Sequence, residues 1–174
     1  KDLDNNEWKF VNVDEKSGRF VVPPGASGHR WSKTKGQWNM KMESSVDGSP
    51  FDPRLSFLDG HDAVLPTAFT EFAYGKDMTR GVPVKYVETT SGRVAVTTVY
   101  DLIMAQYGVG RGLEGDYAKG YDDATSAYTP AWQERITGTP RAQVITVARQ
   151  FDENAHKTQG RSMVIIGAAM NHWY

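Results

Sequence analysis

The sequence predicts a mixed chain, α+β to α/β in class: a small irregular β-rich lobe, then a hairpin, three helices and a buried strand. Three observations carry this reading. Residues 1–60 are rich in Gly, Ser, Pro, Asp and Lys and hold short alternating runs. Residues 82–97 alternate on either side of Ser91-Gly92, as a hairpin requires. Residues 128–174 read as two capped helices followed by Met163-Val164-Ile165-Ile166, a continuous apolar run suited to a strand covered on both faces. A division near residue 80 separates a β-rich insertion lobe (1–80) from an α/β segment (81–174).

Each element has a local reason. Trp8-Lys9-Phe10-Val11-Asn12-Val13 and Arg19-Phe20-Val21-Val22 alternate as strands do, and Pro23-Pro24-Gly25 ends the second. Lys33-Thr34-Lys35-Gly36 reads as a turn before Gln37-Trp38-Asn39-Met40. Residues 43–62 are poor in apolar side chains and read as a long surface loop. Val84–Glu88 and Val94–Thr97 form the hairpin. Thr98 then caps a helix whose first turn carries Asp101, the sign that suits the helix dipole. Val99, Leu102, Ile103 and Tyr107 supply its expected apolar face, and Gly108 ends it. Residues 108–127 form a connection rich in glycine, acid and tyrosine. Thr129 caps the next helix with Pro130 in its first turn, where no amide bond is lost. Gly138 stops it, and Thr139-Pro140 repeats the start signal. Val144, Val147, Ala148 and Phe151 share one face of the third helix. Gly160 leads to the apolar run.

Composition narrows the function. The 174 residues suffice for one domain with a core, or a domain plus a small lobe. A net charge of −1 makes no electrostatic case for nucleic acid or an anionic membrane surface. No apolar run is long enough to span a bilayer as a helix. Without cysteine these residues provide no disulfide, thiolate zinc site, cysteine nucleophile or iron–sulfur ligand. Mean hydropathy is −0.54, polar for a free-standing domain, but five tryptophans and eight tyrosines argue against disorder. The first residue is Lys1 rather than Met, and the chain stops at Tyr174 soon after the apolar run. Both lead to the expectation of a piece of a longer polypeptide, with a site completed by further chain.

Most motifs that could carry chemistry have plainer readings. His29, His61, His156 and His172 share no metal-ligand spacing. Asp122-Asp123 and Glu114/Asp116 match no calcium loop and read as solvated. Gly108-Val-Gly-Arg-Gly112 follows a helix rather than a strand and lacks the Lys-Ser/Thr ending of a phosphate loop. Ser162 stands outside any nucleophile elbow. Trp8, Trp31 and Trp38 could form a binding platform, though aromatics in a small β lobe more often make its core. The segment after the apolar run is different. Gly167-Ala168-Ala169-Met170-Asn171-His172 places small residues, whose amides can approach a phosphate closely, beside a side chain that donates and accepts and one that can polarise an anion. Strand ends of this kind hold ligands in open α/β sheets.

The same stretch carries a resemblance. Tyr128-Thr129-Pro130-Ala131-Trp132, Ile136-Thr137-Gly138, Ala148-Arg149-Gln150-Phe151, Gly160-Arg161-Ser162-Met163 and Asn171-His172-Trp173-Tyr174 resemble the respiratory nitrate reductase catalytic (alpha) subunit, of the molybdopterin oxidoreductase family. Val96–Leu102 and Tyr107-Gly108 fit the same subunit, and Glu7-Trp8-Lys9, Arg30-Trp31 and Gly36-Gln37-Trp38-Asn39 match more loosely. The resemblance implies an internal fragment of a larger molybdopterin-enzyme domain, inactive alone. It implies a parent that reduces nitrate to nitrite by oxygen-atom transfer at molybdenum bis(molybdopterin guanine dinucleotide), fed by a 4Fe-4S cluster. It makes Gly167, Asn171 and His172 cofactor-binding residues on one wall of the cavity, with no catalytic or metal-ligating residue here. The implied partners are the rest of the catalytic subunit, an iron–sulfur beta subunit and a membrane cytochrome b subunit, at the cytoplasmic face of the membrane, with outward-facing relatives as the alternative. A related molybdenum reductase acting on another oxyanion, such as selenate or chlorate, is the nearer alternative. A self-contained partner-binding or scaffold domain without redox role is the rival from another class.

Overall fold

The computed structural model describes residues 11–22, 42–44, 46–71 and 75–167. Its content is mixed α+β, as expected: a two-stranded sheet, a three-stranded sheet and three helices. In the first sheet β1 (Asn12–Val13) pairs antiparallel with β2 (Phe20–Val21). The second has the order β3 (Ala63–Thr70), β4 (Asp77–Thr89), β5 (Gly92–Val96). The helices are α1 (Val99–Gln106), α2 (Pro130–Thr137) and α3 (Arg141–Thr158).

The chain divides into two compact units, residues 1–67 with 81–103, and residues 68–80 with 104–174. Residue 80, where the sequence reading divides the chain, lies inside β4. Gly81 and Pro83 disguise this 13-residue strand as two pieces.

In the first unit the hairpin is the one the alternation predicts. β4 and β5 pair from Lys85↔Val96 to Thr89↔Gly92, which puts Thr90-Ser91 at the tip, one residue earlier than expected. Gly92 has φ +106°, and the Ser91 amide and Thr89 hydroxyl close the turn. The core gathers Val21, Phe51, Phe57, Val82 and Val84. The expected surface loop at 43–62 therefore needs correction. It lacks regular structure, yet Phe51 and Phe57 are sunk into the core, because two large aromatics outweigh the polar average around them.

Phe57 is held there by a buried carboxylate. Asp101, in the first turn of α1, is 0% exposed. Its carboxylate accepts from the Ser56 hydroxyl at 2.6 Å, the Phe57 amide at 2.8 Å and the Thr98 hydroxyl at 2.8 Å. Thr98 in turn accepts from the Asp101 amide at 3.0 Å, the capping role expected of it. The face of α1 is corrected by the same contact. Val99, Leu102, Ile103 and Tyr107 are exposed, whereas Asp101, Ala105 and Gly108 are buried. Burial follows hydrogen bonding here, and the apolar stripe points away.

A second carboxylate organises the N-terminal part of this unit. Asp14 accepts from the Ser17 hydroxyl and amide and from the Asp52 amide at 2.9 Å. These bonds hold it at about 2, below its usual 3.8.

In the second unit the helix signals hold at α2. The Thr129 side chain accepts from the Trp132 amide, Pro130 occupies the first turn and Gly138 closes the helix in the left-handed region. At α3 the cap is Pro140, without a side-chain bond, and Thr139 lies one residue too early to serve. Arg80 is 4% exposed and donates to the carbonyls of Ala105 (2.7 Å), Gln106 (3.1 Å) and Asp116 (2.8 Å), tying the end of α1 to the 108–117 connection. Its guanidinium lies 5.7 Å from the Tyr117 ring. Burial pushes the Tyr117 hydroxyl upward, opposed in part by Arg80 and Arg111. Glu71, also buried, accepts from the Ala127 amide at 2.9 Å.

The buried strand expected at Met163–Ile166 is not formed. Residues 161–167 lie outside any helix or strand, and Met163, Val164, Ile165 and Ile166 are 79, 71, 83 and 61% exposed. A strand covered on both faces needs neighbours at both edges, and among the described residues no strand lies beside it.

Two outcomes follow. Asp101→Ala in a polypeptide carrying this chain removes the acceptor for three donors and costs about 3 kcal/mol of stability. Urea denaturation reads it, and a loss under about 1 kcal/mol would contradict the role given to Asp101. Because Asp14 is depressed in the folded state, its contribution is complete above its ordinary 3.8 and disappears as pH falls through about 2. The Ser17 and Asp52 amide proton shifts should titrate with that lower midpoint. A midpoint near 3.8 would show those bonds absent in solution.

Candidate functional site

The site expected from the sequence lies beyond α3, and the helix end determines how the chain approaches it. Gln159 (φ 55°) and Gly160 (φ +86°) both enter the left-handed region, and their amides both donate to the Ala155 carbonyl. The turned chain is pinned back to the helix. The Arg161 amide donates to the Thr158 hydroxyl (3.1 Å), the Asn154 amide group to Ser162 Oγ (2.8 Å), and Ser162 Oγ to the Phe151 carbonyl (3.2 Å). Ser162 thus has a structural task, in agreement with the absence of a nucleophile elbow.

From Met163 to Ile166 the side chains are exposed. Gly167 is exposed, and a Cβ built on it meets nothing within 4 Å, so its backbone is open to close approach. Asn171 and His172 lie outside the described residues, as do His29, Trp8, Trp31 and Trp38.

Beside this exit α3 presents an apolar groove of about 540 Å³, lined chiefly by Val144, Val147, Ala148, Phe151 and Val164. The helix has no buried residue at all. Another cleft of about 420 Å³ opens beside Tyr121, Tyr128, Pro130, Ala148, Arg149 and Asp152. Tyr128 stands at φ 67°, its ring edge-on to Tyr107 (4.9 Å) and tilted against Trp132 (5.8 Å). Trp132 Nε1 is buried and makes no hydrogen bond. No spacing rule pointed to this aromatic cluster, since Tyr107 lies just past α1, Tyr128 just before α2 and Trp132 within it.

The remaining candidates resolve into structure. Asp123 accepts from the Thr125 and Ser126 hydroxyls and the Lys119 amide, which hold it well below the usual carboxylate range. Asp122 pairs with Arg141 at 2.8 Å, and Arg141 also reaches Glu134 at 2.7 Å. Asp116 accepts from the Thr79 amide. His61 Nδ1 lies 2.8 Å from the Leu58 carbonyl, and His156 sits exposed, 3.6 Å from Asp152. Among the described residues no group of His, Asp and Glu side chains could hold a metal ion. No helix among them is long and apolar enough to cross a membrane.

No family model matches the chain. Curated proteins do. The chain is 43% identical to the respiratory nitrate reductase 2 alpha chain of Escherichia coli K12, over 98% of its length. It is 39% identical to the nitrate reductase alpha chain of Bacillus subtilis 168, again over 98%. It is 38% identical to the nitrate reductase alpha subunit of Mycobacterium tuberculosis H37Rv, over 100%. It spans 14% of the length of each.

The exit geometry can be tested at Gly160. A Cβ there has open space, so Gly160→Ala costs only the left-handed backbone, about 1 kcal/mol. Urea denaturation measures it, and an unchanged or higher midpoint would show that the turn is not adopted.

Proposed function

Because this chain is related along nearly all of its length to nitrate reductase alpha chains, we propose that it serves as a segment of a nitrate-reducing catalytic subunit and forms one wall of its cofactor cavity at residues 167–174. The single observation that carries this reading is identity of 38–43% sustained from end to end of the chain. Chance similarity of a small α+β unit does not extend through an irregular lobe, a hairpin and three helices alike.

The parent reaction in this reading is reduction of nitrate to nitrite. The cofactor is molybdenum bis(molybdopterin guanine dinucleotide), with a 4Fe-4S cluster elsewhere in the same subunit. When bound, the molybdenum centre supplies the two-electron oxygen-atom transfer; the protein binds and orients it. The donor set here suits a polar organic group better than a metal ion. There is no cysteine in the chain and no metal-ligating cluster among the described residues, while the Gly167 backbone is unobstructed. Gly167 would offer its amide to a phosphate or pterin edge. Asn171 would donate and accept at the same edge, and His172 would donate to an anionic oxygen. The 174 residues therefore supply binding and orientation. An iron–sulfur beta subunit and a membrane cytochrome b subunit complete the proposed complex, at the cytoplasmic face of the membrane.

The test uses the full-length polypeptide that carries this sequence, assayed for molybdenum and for nitrate reduction by reduced viologen, beside Asn171→Ala and His172→Ala. Either substitution should lower molybdenum content or turnover by about tenfold. Wild-type values in both variants would remove the cavity-wall assignment alone. A full-length protein without molybdenum would remove the whole reading.

A further inference from the structure

The chain holds two Asp-Gly pairs, Asp47-Gly48 and Asp59-Gly60, both exposed and both in the first unit. Glycine after aspartate carries no Cβ, so its amide nitrogen can approach the aspartate side-chain carbon closely. The fold treats the two pairs oppositely. The Asp47 carboxylate accepts from the Ser49 amide (3.0 Å) and hydroxyl (2.6 Å) and pairs with Arg19 at 3.2 Å. Those bonds, the Ser49 hydroxyl foremost, hold it at about 2, so it stays an anion and a poor electrophile. The nitrogen that would attack it is also engaged, because the Gly48 amide donates to the Ser44 carbonyl at 2.8 Å.

At Asp59-Gly60 neither constraint applies. Among the described residues the Asp59 carboxyl and the Gly60 amide have no hydrogen-bond partner. What is held is the Asp59 backbone carbonyl, which accepts from Nη2 of the Arg54 guanidinium. Arg54 is itself fixed. Its Nε donates to the Ser56 carbonyl at 3.2 Å and lies 3.7 Å from the Glu15 carboxylate. Gly60 stands at φ +81°, and a Cβ there would come within 3.3 Å of the same Nη2, so the guanidinium lies directly against the turn.

We propose that Asp59-Gly60 is a self-modification site, closing to a succinimide and reopening as isoaspartate under the direction of Arg54. The Gly60 amide nitrogen gives up its proton and bonds to the side-chain carbonyl carbon of Asp59 in its neutral form. The carboxyl's hydroxyl leaves with that proton as water. Water then adds to one of the two ring carbonyls and the C–N bond there breaks, so one water is lost and one regained. Arg54 marks which carbonyl. It donates to the backbone one, draws electron density from it and pairs with the carboxylate formed there. Opening at that carbonyl leaves the chain running through the side-chain carbon, which is isoaspartate.

The experiment incubates the purified full-length polypeptide at neutral pH in water enriched in oxygen-18. Peptide mapping with electron-transfer fragmentation then locates heavy oxygen and separates isoaspartate from aspartate. Each opening of the ring installs one heavy oxygen. The expected result is label and isoaspartate at Asp59, gained on the order of tenfold faster than at Asp47, the factor one withheld backbone hydrogen bond is worth. Asp59→Glu should lose the label, since its ring would be one atom larger. In Arg54→Gln the label should remain while the isoaspartate share of the product falls. Equal labelling of Asp47 and Asp59 would overturn the proposal. So would an unlabelled Asp59 in the folded protein when the urea-unfolded polypeptide takes up label there. An unchanged isoaspartate share in Arg54→Gln would overturn the direction given to Arg54.

Discussion

An ionisable group taken out of water must find hydrogen-bond partners, and among the described residues Asp101, Arg80 and Glu71 do so, as does Asp14. Asp101 collects donors from Ser56, Phe57 and Thr98. Arg80 serves the carbonyls of Ala105, Gln106 and Asp116. Glu71 accepts the Ala127 amide. In each case a partner belongs to irregular backbone, which has no ladder of its own to satisfy it. The cores are small, so these side chains do what a larger apolar interior would otherwise do: they give each loop one position. Arg80 adds a planar donor set that matches a helix C-terminus, where the last carbonyls lack partners and cation charge is favoured.

The two units differ in how complete they are. The first buries two phenylalanines and three valines around a well-registered hairpin. The second buries alanines and displays its larger apolar groups on α3 and on the segment after it. That asymmetry agrees with a chain matching a small share of much longer proteins. It also explains why a search of this chain for a self-sufficient active site finds none among the described residues.

What was legible in the sequence was local. The caps at Thr98, Thr129-Pro130 and Gly138 and the 84–97 hairpin each depend on a few neighbouring residues, and all four formed, the hairpin with its tip one residue earlier than read. What was misread depended on distant partners. The apolar stripe of α1 looked like its core side, but residues 56 and 57, over forty positions away, draw Asp101 inward instead. β3 went unread because Pro66 interrupts an otherwise regular alternation of half-buried and exposed positions. The run at 163–166 was read as a buried strand and forms none, because among the described residues no strand lies beside it to cover it. At the proposed site, Gly167 has the open backbone that a glycine at an exposed position allows. The aromatic cluster of Tyr107, Tyr128 and Trp132 was not legible, because it is assembled by the fold.

The unpaired segment after α3 has a further consequence, for solubility during synthesis. Four β-prone or flexible apolar residues with open backbone edges form a template on which identical chains can add to one another. Only Lys157 and Arg161 stand close before it to discourage such stacking by charge repulsion. A form in which these residues stay uncovered therefore carries an aggregation risk at a named place.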